Sequence, residues 1–396
     1  MSSSLVHGAD APSRGNSLPI LAKGFRPFFL LAGLHAVVMV PLWVLVLAGQ
    51  TQVGGGLGAN VWHAHEMLFG FTSAVIAGFL LTAVTNWTGR NTATGAPLAL
   101  LGLLWLLGRV LSLLGHSAAA IADGAFFLGF CFAIARPILL ARSKRNYLFP
   151  VLIFGLFCAD AWVHFGASGH AVPGLRLGPL RAVDVVVVMM VLVTARIVPM
   201  FTRNGLDDSS VRSNPTLDWL AVGGAVGVAL LGGAAVDERV VSALSLATGV
   251  LVFARAHSWR GQRTLQSPLL WILHAGHAFI GLGLVLRGIS GTLGIVPTSM
   301  WTHCLTAGGI GCLTLGMMSR VTLGHTGRML VAPRPVAWGF LATALGAVLR
   351  VVAPLFGSAQ VTLLVCAGLL WASGFAAFVL WQSSMLVAPR VDGRPG

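Results

Sequence analysis

Residues 61–84 read VWHAHEMLFGFTSAVIAGFLLTAV, a stretch with one acid, two histidines and no Lys or Arg. At ~1.5 Å of rise per residue such a run makes a helix of about 36 Å, enough to cross the ~30 Å hydrocarbon core of a bilayer. Runs of the same kind recur along the chain. They lie at approximately 27–49, 61–84, 97–115, 118–141, 148–167, 181–200, 217–236, 239–256, 267–288, 298–319, 335–355 and 359–382, which predicts about twelve spans. The linkers between them are too short for an independent domain. Composition agrees: 56% of residues are hydrophobic and 9% are charged, against roughly 25% charged in soluble domains. So few charges cannot cover a globule in water, and the outer surface is expected to face lipid. The fold class is all-α membrane protein, with a single integral membrane domain over 19–385. Residues 1–18, with Ser2 to Ser4, Pro12 and Gly15, are expected to form a disordered head, and 386–396 a C-terminal tail. No cleavable signal pattern precedes the first apolar run, which is expected to remain as a helix.

The basic residues orient the chain. Nineteen of the 25 Lys and Arg fall in segments on the same side as the N-terminus and five on the other, while Arg109 lies within a span. The positive-inside rule then places both termini in the cytoplasm. The net charge of +14 marks that membrane face and gives no sign of nucleic-acid binding, because no basic stripe falls on a soluble element. The five cysteines sit inside apolar runs without a CxxC pair and read as small buried hydrophobes.

A threefold internal plan is one reading of three helix ends. LTAVTNWTGR (81–90), VTARIVPMFTRNG (193–205) and LTLGMMSRVTLGHTGR (313–328) each run from an apolar helix into Thr, Arg and Gly, four spans apart. The other reading is that inner helix ends share these residue types.

Twelve histidines in so apolar a chain call for partners, since imidazole is costly in hydrocarbon and tends to be a ligand, a relay or an interior hydrogen bonder. His63 and His65 open the second span and point about 200° apart on a regular helix, so one ion cannot hold both. His274 and His277 share a face at i, i+3. His303 and His325 lie at opposite ends of the tenth span, roughly 33 Å apart if that helix is straight. An outer group (His63, His65, His303) and an inner group (His274, His325) follow. His35, His164 and His257 read as incidental. Glu66, Asp123, Asp160 and Asp184 fall in the outer halves of their spans, where they either pair with Arg or His or give protons a path, Glu66 and Asp184 being the candidate catalytic groups. The one tyrosine, Tyr147, sits at the inner boundary, away from any place where oxygen reduction would use it.

The blocks GFRPFFLLAG (24–33), WHAHEMLFGF (62–71), GFLLTAVTNWTGR (78–90), ARIVPMFTRNG (195–205), LLWILHAGHAFIGLGLVLRG (269–288) and HCLTAGGIGCLTLGMMSRVTLGHTGR (303–328) together resemble the NnrS family over nearly the whole chain. The resemblance implies a bacterial inner-membrane protein with haem (of b type) and copper, acting in the nitric oxide response, denitrification and nitrosative stress. It also implies a bundle similar to the twelve-helix main subunit of haem-copper oxidases. His63, His65, His274, His303 and His325 match the family's histidine positions as metal and cofactor ligands. Arg196 and Arg328 stand in the matching blocks as further cofactor-binding residues, and His277 departs from the pattern. Two functions stay open: an oxidoreductase consuming nitric oxide, or a non-enzymatic haem protein that binds the gas or handles metal, with a transporter as a third option. Membrane lipid is the surrounding partner. With no CxxCH or soluble cytochrome segment, electrons would come from quinol or a separate cytochrome.

Overall fold

The computed structural model describes residues 18–170, 173–233 and 236–394, so the head expected over 1–18 lies outside them apart from Leu18. Twelve apolar helices follow in order: α1 Phe25–Leu47, α2 Ala59–Thr88, α3 Ala96–Leu113, α4 Ala119–Leu140, α5 Leu148–Ala167 and α6 Pro173–Leu206. The second half comprises α7 Pro215–Leu231, α8 Glu238–Ala256, α9 Pro268–Leu293, α10 Thr298–His325, α11 Arg334–Val352 and α12 Gln360–Val387. Eleven are long and apolar enough to span, and α7, at 17 residues, sits at the short limit of about 17. Among the described residues there is no strand. Glycines in the left-handed conformation stop α2 at Gly89 (φ 66°) and α9 at Gly294 (φ 68°), where an L side chain would be strained. Asn214 caps α7 by accepting from the Thr216 and Leu217 amides at 3.1 and 3.2 Å.

The outside of the bundle is apolar. Leu103, Ile121 and Phe132 are 62%, 76% and 68% exposed, as suits a surface that faces lipid. Polar groups point inward instead. Most successive helices pack side by side, α2 packs on α1 and α4, and α1 closes against α12. The deepest segments are α2, with 89% of its apolar window buried, α10 with 83% and α6 with 61%, against 33–44% for most others. These three recur at an interval of four helices. That is the interval of the three similar helix ends in the sequence, and it sets α2, α6 and α10 as the inner helices.

Two of the inner helices widen. Glu66–Thr72 in α2 and Cys304–Ile310 in α10 are π-helical, each starting just past a histidine, His65 and His303. Such turns insert a residue and cluster at functional sites. Thr72 and Ser73 hydroxyls bond to the Met67 and Gly70 carbonyls at 2.7 and 3.1 Å, which satisfies carbonyl groups at the widened turn.

Close helix contact elsewhere depends on small residues, as is usual where no water drives helices together. A Cβ on Gly374 of α12 would lie 2.6 Å from the Gly339 carbonyl oxygen of α11 and would also meet the Thr343 hydroxyl. Gly374→Val is therefore expected to force α11 and α12 apart at a cost of ~1–3 kcal/mol, read as a lowered thermal midpoint in detergent. An unchanged midpoint would contradict this packing.

Candidate functional site

At the end of the bundle where α2 begins, the expected outer end, two distinct groups form. The first is an ionic cluster built from five helices. His65 of α2 is fully buried. Its Nδ1 lies 3.1 Å from Glu66 Oε1, and its Nε2 lies 3.1 Å from Asp160 Oδ1 and 3.2 Å from His164 Nε2 of α5. Asp123 Oδ2 of α4 stands 3.6 Å from His65 Nε2 and 3.7 Å from His164 Nε2. Arg109 of α3 donates from Nη1 to Glu66 Oε1 at 2.9 Å and from Nη2 to Asp123 Oδ1. Ser112 donates to Glu66 Oε1 at 2.7 Å, and His35 of α1 donates from Nε2 to the Glu66 carbonyl oxygen at 3.1 Å.

The second group is an apolar cavity of about 450 Å³ among α1, α2, α6, α10, α11 and α12. His63 and His303 both line it, with Asn60, Met67 and Arg350 as other polar or polarisable wall residues. The imidazole of His63 stacks on Trp43, with ring centroids 4.3 Å apart and planes 10° from parallel. His303 Nδ1 lies 2.8 Å from the Ser299 carbonyl oxygen. A carbonyl only accepts, so Nδ1 carries the hydrogen and Nε2 keeps its lone pair.

The remaining candidate residues stand apart from both groups. Asp184 of α6 is held by Arg181 at 3.0 Å and by Arg287 of α9. Neither it nor Glu66 lines the cavity; each is fixed in arginine pairs. His274 and His277 share a helix face but not a partner. His274 Nε2 donates to Thr202 Oγ1 at 2.9 Å, since that hydroxyl's own hydrogen goes to Val198, whereas His277 Nε2 donates to the Val252 carbonyl at 3.0 Å. His325, at the opposite end of α10 from His303, lies against Phe25 with centroids 5.5 Å apart. Arg328 reaches the Thr326 carbonyl at 3.5 Å. Arg196 donates to Asn146 Oδ1 at 2.8 Å and to the Arg145 carbonyl at 2.9 Å, on the wall of a second cavity of about 320 Å³ with Arg145 and Arg203. Just past α12, the Asp392 carboxyl is held down to about 2 by its hydrogen bond from Arg390.

His35 and His164, which look incidental in the sequence, belong to the ionic cluster. Their one available signal was i, i+4 spacing of Asp160 and His164 on a single helix face. Arg350 and Trp43 carried no signal, because nothing local connects them to a histidine in another helix.

Arg109 joins two of the buried carboxylates. Removing it leaves Glu66 and Asp123 charged and uncompensated, which costs about 3–5 kcal/mol for a buried pair. Arg109→Ala is expected to lower the thermal midpoint markedly in detergent, and Arg109→Ala with Asp123→Asn to recover part of the loss. A double variant no better than the single one would show that the carboxylate charge is not what Arg109 balances.

No curated protein matches the chain. Residues 19–390 match the family described as NnrS protein. That is nearly the full length of the sequence, taking in all twelve helices, the ionic cluster and the cavity, and this chain belongs to the NnrS family.

Proposed function

We propose that this chain is a haem-binding membrane protein of the nitric oxide response, with haem held in the cavity that His63 and His303 line. The observation that carries the reading is the pair of imidazoles, from two different inner helices, on the wall of one apolar cavity of about 450 Å³. Cofactor sites of roughly 300–1,000 Å³, mostly apolar with a few convergent polar groups, are the usual size. The donor set fits. His303 is fixed in the tautomer that leaves Nε2 free to bind iron, an arrangement that also raises ligand basicity. Trp43 holds the plane of the His63 ring. Arg350 on the same wall offers a guanidinium to a propionate. When bound, haem supplies a ferrous iron with affinity for a small diatomic gas. The chain supplies apolar walls that keep water out and let an uncharged gas enter from lipid.

Binding is favoured over reduction by one feature of the wall. Reducing nitric oxide to nitrous oxide consumes protons, and none of the residues lining the cavity is Asp or Glu. Glu66 and Asp184, the expected proton-handling groups, serve in arginine pairs. Copper is a second reading of the same cavity, because Met67 adds a thioether to the lining that holds the two imidazoles and soft donors suit Cu(I). The basic bias of the end at which α1 begins supports a bacterial cytoplasmic membrane location with both termini inside. An electron donor, a quinol or a cytochrome, would supply the one electron that brings haem to the ferrous state, and further electrons only for turnover.

Purified protein is expected to show a haem absorption band that is lost or shifted in His63→Ala and His303→Ala, while His274→Ala and His325→Ala retain it. Reduced protein given nitric oxide should take up a stoichiometric amount and stop. Sustained loss of gas with nitrous oxide formed would replace binding by catalysis. A band indifferent to His63 and His303 would remove haem from this cavity, and copper lost instead of iron would assign the second reading.

A further inference from the structure

The ionic cluster beside the cavity has a property that ion pairing alone leaves unexplained. Four atoms face a common centre: Nε2 of His65, Nε2 of His164, Oδ2 of Asp123 and Oδ1 of Asp160, all within 4.8 Å of one another. Five of the six separations are 3.1, 3.2, 3.6, 3.7 and 3.7 Å. A tetrahedral ion with bonds of about 2.0–2.2 Å to nitrogen and oxygen sets its ligands roughly 3.3–3.6 Å apart. A square-planar ion with the same bonds would need edges of about 2.8–3.1 Å and diagonals of about 4.0–4.4 Å, which these distances do not show.

Charge points the same way. Glu66, Asp123 and Asp160 bring three negative charges into a buried region, and Arg109 returns one positive charge. With neutral histidines two charges remain, and apolar surroundings do not tolerate them uncompensated. Asp123 Oδ2, buried and aimed at the centre, has no hydrogen-bond partner. The other ring nitrogen of His65 faces Glu66, which is held in turn by Arg109 and Ser112. This carboxylate behind an imidazole is the support that metal-binding histidines commonly have.

We propose that His65, Asp123, Asp160 and His164 form a closed four-coordinate site for a divalent cation of the zinc class. It stands apart from the cavity that His63 and His303 line and does not depend on what that cavity holds. Two nitrogens and two carboxylate oxygens without thiolate or thioether disfavour Cu(I), and the tetrahedral spacing disfavours Cu(II). Because the protein fills all four positions, the ion has no open place for substrate. Its task is to tie α2, α4 and α5 together at one end of the bundle, fixing α2 where its π-helical turn begins.

The test is metal analysis of the purified full chain in detergent, with cobalt as a spectroscopic probe. Wild type should hold about one non-haem divalent ion per chain. After chelation it should take up Co²⁺ with absorption bands of tetrahedral intensity, and chelation should lower the thermal midpoint. Asp160→Ala and His164→Ala should lose the ion, Glu66→Gln should hold it at least ~10-fold more weakly, and His63→Ala should keep it. Protein that binds neither the native ion nor Co²⁺ would show two protons balancing the cluster, and would overturn the proposal. So would copper alone at the site, a non-tetrahedral cobalt spectrum, or metal retained in both ligand variants. The wild-type cobalt spectrum decides the matter even where a variant fails to fold, and the haem band of His63→Ala reports separately on the cavity.

Discussion

Three carboxylates and one guanidinium share a dry space at one end of this bundle, and much of the architecture answers to that concentration of charge. Each acid comes from a different helix, so neutralising them binds helices together. Arg109 of α3 touches acids from α2 and α4, and His65 of α2 reaches Asp160 of α5. An isolated carboxylate in hydrocarbon would neutralise by taking a proton. A shared set of compensating groups lets charge persist there, and the helices that supply it are held in register. The same constraint separates the two outer histidines. His65 turns into the charged cluster, while His63, two residues earlier, faces the apolar cavity.

This division gives the NnrS chain two chemically different compartments side by side. One is polar, crowded and closed. The other is mostly apolar and encloses about 450 Å³. α2 forms a wall of both, so its orientation couples them.

Much of the fold could be read from the sequence because span length and apolar content depend only on local composition. All twelve helices lie where runs of apolar residues predict them, and the ends drift mainly at α6, α9, α10 and α12, which extend beyond their apolar cores, and at α7, which stops short at Leu231. The side-chain direction of His63 against His65 was legible from helical geometry alone. The meeting of residues from different helices was not. His164 and Asp160 share a face of α5, but nothing in α5 announces that α2 and α4 will bring His65 and Asp123 to it. Arg350 and Trp43 join the cavity in the same silent way. Helix order fixes neighbours, whereas depth and rotation are settled by packing of glycines and bulky side chains across many contacts. The pairing of His274 and His277 shows the converse limit. Shared spacing on one face placed them close, and the neighbouring helices then gave each a different acceptor.

The widened turns in α2 and α10 have a further consequence. A π-helical segment carries one residue more than the α-helix around it needs, so the two halves of each helix are out of phase by roughly 100°. The half bearing the histidine and the half embedded in the core thus answer to separate clocks. Substitutions that retune the first half need not be matched in the second, as they would be along an unbroken helix. Loss of a single residue within either turn would restore the common phase and swing His63 or His303 off the cavity wall. The cavity end of this protein is therefore more sensitive to a change in chain length there than to many changes of side chain.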